Sequence, residues 1–228
     1  LRTIQPGDLS PNIRQNYTVT DKADGSRKLL FVSRSYKVYL IDTNMHVQYT
    51  GCKSKSQAGT LLDGEHILHD KHGNFINKYA AFDIYYVKGD NVRSLAFYPK
   101  DPITADLTQY RLNILMNIVK NMNTTLTSPS NPLIIDSKVF YNDVNSTIFA
   151  GCHTILQNQQ LGKFQYETDG LIFTPMHLGV GNTQIGETSE SKKSTWDQSF
   201  KWKPAEFNTI DFLFKTKKGV NGEDEVKS

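Results

Sequence analysis

Five short stretches of the 228-residue sequence carry side chains whose types and spacing could do chemistry together. In TVTDKADGSRKLLFV, Lys22 stands two residues before Asp24-Gly25, where a run of strand formers begins. LLDGEHI sets Asp63 and Glu65 two positions apart, on one face if the strand is regular. AAFDIYY places Asp83 beside Phe82, and YETDGLIFTP offers Glu167 and Asp169 at the entry to another apolar run. FKWKP puts Lys201 and Lys203 on one strand face with Trp202 on the other. Singly, each has an ordinary explanation: Asp-Gly is a common hairpin signal, and lysines alternate on exposed strands. Together they supply hard carboxylate oxygens for a divalent cation and lysines for phosphates. That combination suits a magnesium-bound nucleoside triphosphate.

The elements that must position these residues are mostly strands at first. RKLLFVS, KVYLIDT, HVQYT, TLLDGEHILH and YAAFDIYYV are rich in β-branched and aromatic residues, with turn formers such as DTNM and DKHGN between them. This spacing predicts an antiparallel meander, with Asp24-Gly25 as a tight hairpin turn. From Thr104 to Asn123 the period changes: Leu107, Tyr110, Ile114, Leu115, Ile118, Val119 and Met122 recur at helical steps, and Pro102 and Thr104 suit a helix start. A second helix is expected from about Asn145 to Leu161, turning Ile148, Cys152, Ile155 and Leu156 inward. Strands return at GLIFTP, QSFKWKP and TIDFLFK, and KKGVNGEDEVKS reads as a frayed end. The order predicts an α+β fold, with helices gathered onto mainly antiparallel sheets.

The net charge of +3 permits a polyanionic partner without demanding one, because the clustering of the cations decides. No apolar run approaches the roughly 18 residues of a membrane span, so no membrane partner is expected. Cys52 and Cys152 lie in no ligand spacing and read as free thiols. His66 and His69 fall on opposite faces of a strand and His72 in a turn, so a metal role for them is set aside. The Tyr-rich strands read as core rather than as a platform for stacking bases. Without an initiator Met or a signal-like apolar stretch, the chain is expected to be a domain excised from a longer polypeptide.

In order, KADGSR, DGE, FDI, ETDGLIF and FKWKP resemble motifs I, III, IIIa, IV and V of the covalent nucleotidyltransferases. That superfamily comprises mRNA capping guanylyltransferases and ATP-dependent DNA and RNA ligases. The motifs run from Lys22 to Pro204. KWKPAEFNTIDFLFK and TDGLIFTP are similar to the capping-enzyme forms, and Thr20 stands where ligases commonly place a Glu. The resemblance therefore favours an mRNA guanylyltransferase. The alternatives are a ligase adenylylation domain and a non-catalytic RNA- or protein-binding module of the same fold.

The resemblance implies a ligase-type, ATP-grasp-like nucleotidyltransferase domain over residues 1–209. Residues 210–228 would be a frayed tail or the link to an oligonucleotide-binding-fold domain outside this sequence. It implies that Lys22 attacks GTP to form a covalent lysyl-GMP and passes GMP to a 5′-diphosphate RNA end. Arg27 would hold the ribose and Glu65 the ribose or metal. Asp169 would be the main acidic metal residue for Mg²⁺ or Mn²⁺. Phe82 would stack on guanine, Lys201 and Lys203 would hold the α-phosphate, and Thr20 is a candidate for reading the base. Asp24, Asp83 and Glu167 would be supporting residues, and Asp63 would belong to turn geometry. Attack needs a neutral amine, so Lys22 is expected to be flanked by the cations Arg27, Lys201 and Lys203 and by metal. Triphosphatase and methyltransferase domains would lie elsewhere in the parent chain. The setting would be intracellular: nuclear for a cellular protein, or the cytoplasmic factory or virion of a large DNA virus.

Overall fold

The computed structural model describes residues 1–4, 12–127, 132–144, 146–189, 195–205, 215–218 and 223–227. In chain order the first strands are β1 (Arg2–Thr3), β2 (Tyr17–Ala23), β3 (Ser26–Val32), β4 (Lys37–Ile41) and β5 (Val47–Ser54). Next come β6 (Leu61–His69), β7 (Phe75–Val87), β8 (Asp90–Asn91), a 3-10 turn at Leu107–Gln109 and α1 (Arg111–Lys120). Then follow β9 (Thr124–Leu126), β10 (Ile134–Ser137), β11 (Tyr141–Asn142), α2 (Ile148–Gln160), β12 (Thr168–Pro175) and β13 (Phe200–Trp202). A hairpin of β14 (Lys215–Lys218) and β15 (Asp224–Lys227) ends the described chain.

Alternation along the strands builds two sheets, each with a helix on one face. In β4, Val38 and Leu40 turn inward while Lys37, Tyr39 and Ile41 turn outward. The inward residues join Leu30, Val32, Leu62 and Ile84 against Leu112, Leu115 and Ile118 of α1. This sheet runs β10-β7-β6-β3-β4-β5-β9, with β8 paired to β7. The smaller sheet runs β1-β13-β12-β2-β11, and its Tyr17, Val19, Phe173 and Phe200 pack with Ile148 and Ile155 of α2. Each such buried side chain stabilises the fold by about 1.5–3 kcal/mol. Pairing is antiparallel except β1 with β13 and β10 with β7, so the architecture is α+β and mainly antiparallel.

Several expectations from the sequence are corrected here. Asp24-Gly25 is not a hairpin turn: β2 pairs with β12 and β11, whereas β3 pairs with β4 and β6. The dipeptide is a corner between sheets. Gly25 is needed for close approach, since a Cβ there would lie 2.8 Å from the His66 carbonyl oxygen. The meander holds for β3-β4-β5 and for β6-β7, but β6 returns beside β3 rather than β5. The first helix is shorter than its periodicity, because Tyr110 is extended (φ −124, ψ 130) and divides the 3-10 turn from α1. The second spans Ile148–Gln160, capped by the Thr147 side chain. Tyr79 is core, but Tyr39 and Tyr49 lie on the large-sheet face opposite α1. The strand expected at TIDFLFK falls on residues 209–215, of which only Lys215 is described.

Candidate active site

Lys22 sits near the end of β2, opposite an irregularity in β12. Thr168 pairs with Ala23 and Leu171 with Asp21, so Asp169 and Gly170 together face Lys22. Two residues against one is a β-bulge, a device that re-aims side chains. Here it aims the carboxylate at the amine: Lys22 Nζ donates to Asp169 Oδ1 at 2.6 Å. The other oxygen, Oδ2, lies 2.6 Å from Lys203 Nζ. Lys203 gets there because β13 passes unusually close. Gly170 has φ +146, and a Cβ on it would fall 2.0 Å from the Trp202 carbonyl oxygen. Partial burial pulls the Asp169 pKa upward, but hydrogen bonds from Lys203 and Lys22 outweigh it and hold the carboxyl below its ordinary value. The direct partner of Lys22 is thus a carboxylate, not the cluster of cations expected from the sequence.

A second group stands on the large sheet. Arg27 pairs across β3 and β6 with Glu65, and Asp63 lies two residues back on the same face of β6. Arg27 donates from Nε to Asp63 Oδ1 at 3.0 Å and from Nη2 to Oδ2 at 2.6 Å. The Tyr85 hydroxyl also donates to Asp63 Oδ2. Asp63 is therefore the buried anchor of a half-exposed arginine, inside a strand and not in a turn. The Glu65 carboxyl makes no hydrogen bond or ion pair with another described residue. Burial pushes its carboxyl up to about 7, against the opposing fields of Lys138 and Lys22. Phe82 occupies a bulge in β7, because Asp63 pairs with Asp83 and Gly64 with Ala81.

The remaining candidates separate from this group. Thr20 is buried, its hydroxyl donating to the Val139 carbonyl oxygen at 2.7 Å. Asp83 turns toward α1, where Arg111 Nε donates to it at 2.8 Å and Nη2 at 3.1 Å. Asp24 and Glu167 are exposed and joined through the backbone, Asp24 N to the Glu167 oxygen at 2.9 Å. Lys201 is half-exposed and has no ion pair with another described residue. The sequence reading missed a buried ion pair behind the nucleophile candidate: Lys138 Nζ lies 3.0 Å from Asp21 Oδ2, which also accepts from the Tyr166 hydroxyl at 3.1 Å. Ionisable residues within apolar strand runs, Asp21 and Lys138 alike, were the available signal.

Among the described residues, no three His, Cys, Asp or Glu side chains converge as a ready-made metal cage. Asp169 and Glu65 are hard oxygen donors. Mg²⁺ is commonly held by one or two carboxylates together with phosphate oxygens and waters. The donor set fits an ion that arrives with a nucleotide.

Residues 4–205 match the family model described as mRNA capping enzyme, catalytic domain. The chain is 29% identical to a probable mRNA-capping enzyme of Acanthamoeba polyphaga mimivirus, covering 94% of this chain and 20% of that protein. It is 26% identical to an mRNA-capping enzyme of Danio rerio, covering 92% of this chain and 33% of that one. It is 28% identical to the mRNA-capping enzyme subunit alpha of Schizosaccharomyces pombe, covering 88% of this chain and 48% of that one. The chain thus spans between a fifth and a half of the length of these relatives. Among solved structures, the ligase domain of M. tuberculosis LigD is similar at a TM-score of 0.45 and 14% identity, covering 82% of this chain and 53% of that one.

Proposed function

The chain belongs to the family of the mRNA capping enzyme catalytic domain and is a nucleotidyltransferase, and from that premise we propose that it is an mRNA guanylyltransferase working through Lys22. The observation that carries this reading is the pair of lysines, Lys22 and Lys203, held on the two oxygens of Asp169. GTP enters beside them. Lys203, with Lys201 two residues before it in β13, holds the α-phosphate and balances charge that develops on it. Lys22 leaves Asp169, gives a proton to solvent and attacks the α-phosphorus in line. The bond to the β-phosphate oxygen breaks, pyrophosphate departs, and a lysyl-Nζ phosphoramidate of GMP remains. A terminal phosphate oxygen of a 5′-diphosphate RNA then attacks the same phosphorus, the N–P bond breaks, and the amine returns to its pair.

Arg27, anchored by Asp63, would contact the ribose, and Phe82, on its bulge, would stack on the guanine face. Glu65 and Asp169 would hold Mg²⁺ or Mn²⁺. Such an ion supplies charge neutralisation on the phosphates. Substrates of this kind place the protein at the 5′ ends of new transcripts, in the nucleus of a cell or the factory or virion of a virus. Other domains of a longer parent chain would prepare and finish those ends.

The test is covalent labelling with metal present. The protein is incubated with α-labelled GTP or α-labelled ATP, with Lys22→Ala as control, and resolved under denaturing conditions. Label from GTP that disappears in the variant is the expected result. Label from ATP instead would make the protein a ligase-type adenylyltransferase and overturn the reading.

A further inference from the structure

The large sheet has one face packed on α1 and an opposite face carrying Arg27 and Glu65. That opposite face continues far beyond the candidate active site. Strand register sets Leu61, Phe31, Tyr39 and Tyr49 side by side across β6, β3, β4 and β5. Phe31 lies four residues along β3 from Arg27, about 13 Å at strand spacing. The next row beyond the aromatics pairs Lys37 with Lys53. Lys37 Nζ stands 5.5 Å from the centroid of the Tyr49 ring, and the Tyr39 and Tyr49 rings are 5.4 Å apart and tilted by 48°. The row opens toward its β5 end: Phe31, Tyr39 and Leu61 are half-buried, Tyr49 is 39% exposed, and Val47 in the adjoining row is 62% exposed.

Charge is as lopsided as the aromatic content. From Ser26 to Ser56 the chain has six basic residues (Arg27, Lys28, Arg34, Lys37, Lys53 and Lys55) and one carboxylate, Asp42. Six against one is a local excess of five in a chain whose total is only +3. Lys28 alternates onto the α1 face with Leu30, and Arg27 is paired with Asp63, so Lys37 and Lys53 are the strand cations beside the aromatic row. Rows of aromatic rings flanked by cations are how sheets hold single-stranded nucleic acid: bases stack on the rings while phosphates meet the lysines. A packed protein partner would favour apolar area without the unbalanced charge.

We propose that this face of β3, β4 and β5 is the track for the acceptor RNA. The nucleotides just inside the reacting 5′ end would lie on Phe31, Tyr39 and Tyr49, with their phosphates on Lys37 and Lys53. This rests on the guanylyltransferase reading for its substrate, but not on lysyl-GMP formation for its test. Continuity supports it, since the track begins on the face that holds Arg27 and leads away from it without crossing a carboxylate row other than Asp63, which Arg27 neutralises.

The experiment uses this chain and a short 5′-diphosphate single-stranded RNA carrying 4-thiouridine at its first internal positions. Photo-crosslinking followed by peptide mapping should place the adducts on residues 31–53. Tyr49→Ala should weaken binding about tenfold, in line with loss of one stacked base. Lys37→Ala with Lys53→Ala should flatten the salt dependence by about 1.4 in log–log slope, two phosphate contacts' worth. Labelling of Lys22 by GTP should be unchanged in all variants, and thermal melts should show them folded. Crosslinks on other surfaces, or unchanged RNA affinity and salt slope in every folded variant, would overturn the track and leave the face to a protein partner. Failure of GTP labelling with these RNA effects intact would sink the guanylyltransferase reading alone.

Discussion

Arg111, the first residue of α1, clamps Asp83 on β7 through both carboxylate oxygens, at 2.8 and 3.1 Å, with its guanidinium fully buried. The same side chain donates to the carbonyl oxygens of Leu95 and Leu178, so it ties helix, sheet and two connecting segments together. Asp83→Ala leaves that charge buried without its partner. The expected cost is about 3–5 kcal/mol, read by urea denaturation. The folded fraction of the variant should still take up label from GTP, because Asp83 faces α1 and not Lys22. Stability unchanged within error would show that the pair does not hold the fold.

Asp169 is expected to present the opposite case, an effect on labelling without much effect on stability. Its ion pairs with Lys22 and Lys203 are partly exposed, so Asp169→Asn should change stability by no more than about 1 kcal/mol. Lysyl-nucleotide formation should fall by about 10²–10³, the scale for losing one preorganised electrostatic group. Single-turnover labelling, with melting curves alongside, separates the two effects.

Gly170→Ala tests the bulge. The new methyl would meet the Trp202 carbonyl oxygen at 2.0 Å, with φ at +146. Backbone strain and overpacking should together cost about 2–5 kcal/mol and move Lys203 off Asp169. Gly51→Ala is the contrast: φ is +78, but no atom lies within 4 Å of the added carbon. Its cost should be only the left-handed backbone penalty, about 1–2 kcal/mol, with labelling preserved.

His66 makes acid stability testable. Burial lowers its pKa, only partly countered by the hydrogen bond between its Nε2 and Asn77 Oδ1 at 2.9 Å. The unfolded chain binds a proton near pH 6.5 while the folded state resists it, so the unfolded state holds more protons below that pH. Stability should therefore fall as pH drops through about 6.5, and be fully present above it. His66→Gln should flatten this dependence between about pH 7 and 5, by at most about 1.4 kcal/mol per pH unit. An unchanged slope in denaturation midpoints across that range would assign the acid sensitivity elsewhere.

Residue order alone determined a good deal. Alternation marked the strands, helical spacing marked α2 almost to its ends, and the five motif stretches named Lys22, Asp169 and Lys203 as separate bearers of chemistry. These features are local, set by the spacing of neighbours, and so they can be read along the chain. The tertiary structure decided what joins what. It made Asp24-Gly25 a corner between sheets, because Gly25 is pressed against β6. It turned Asp63 into an anchor for Arg27 and gave Asp83 to a buried arginine. It joined two lysines 181 positions apart on one carboxylate, through a bulge in β12 that no alternation pattern announces. Bulges, strand order and buried ion pairs depend on contacts between distant segments, and a periodicity of two or 3.6 residues holds no information about those.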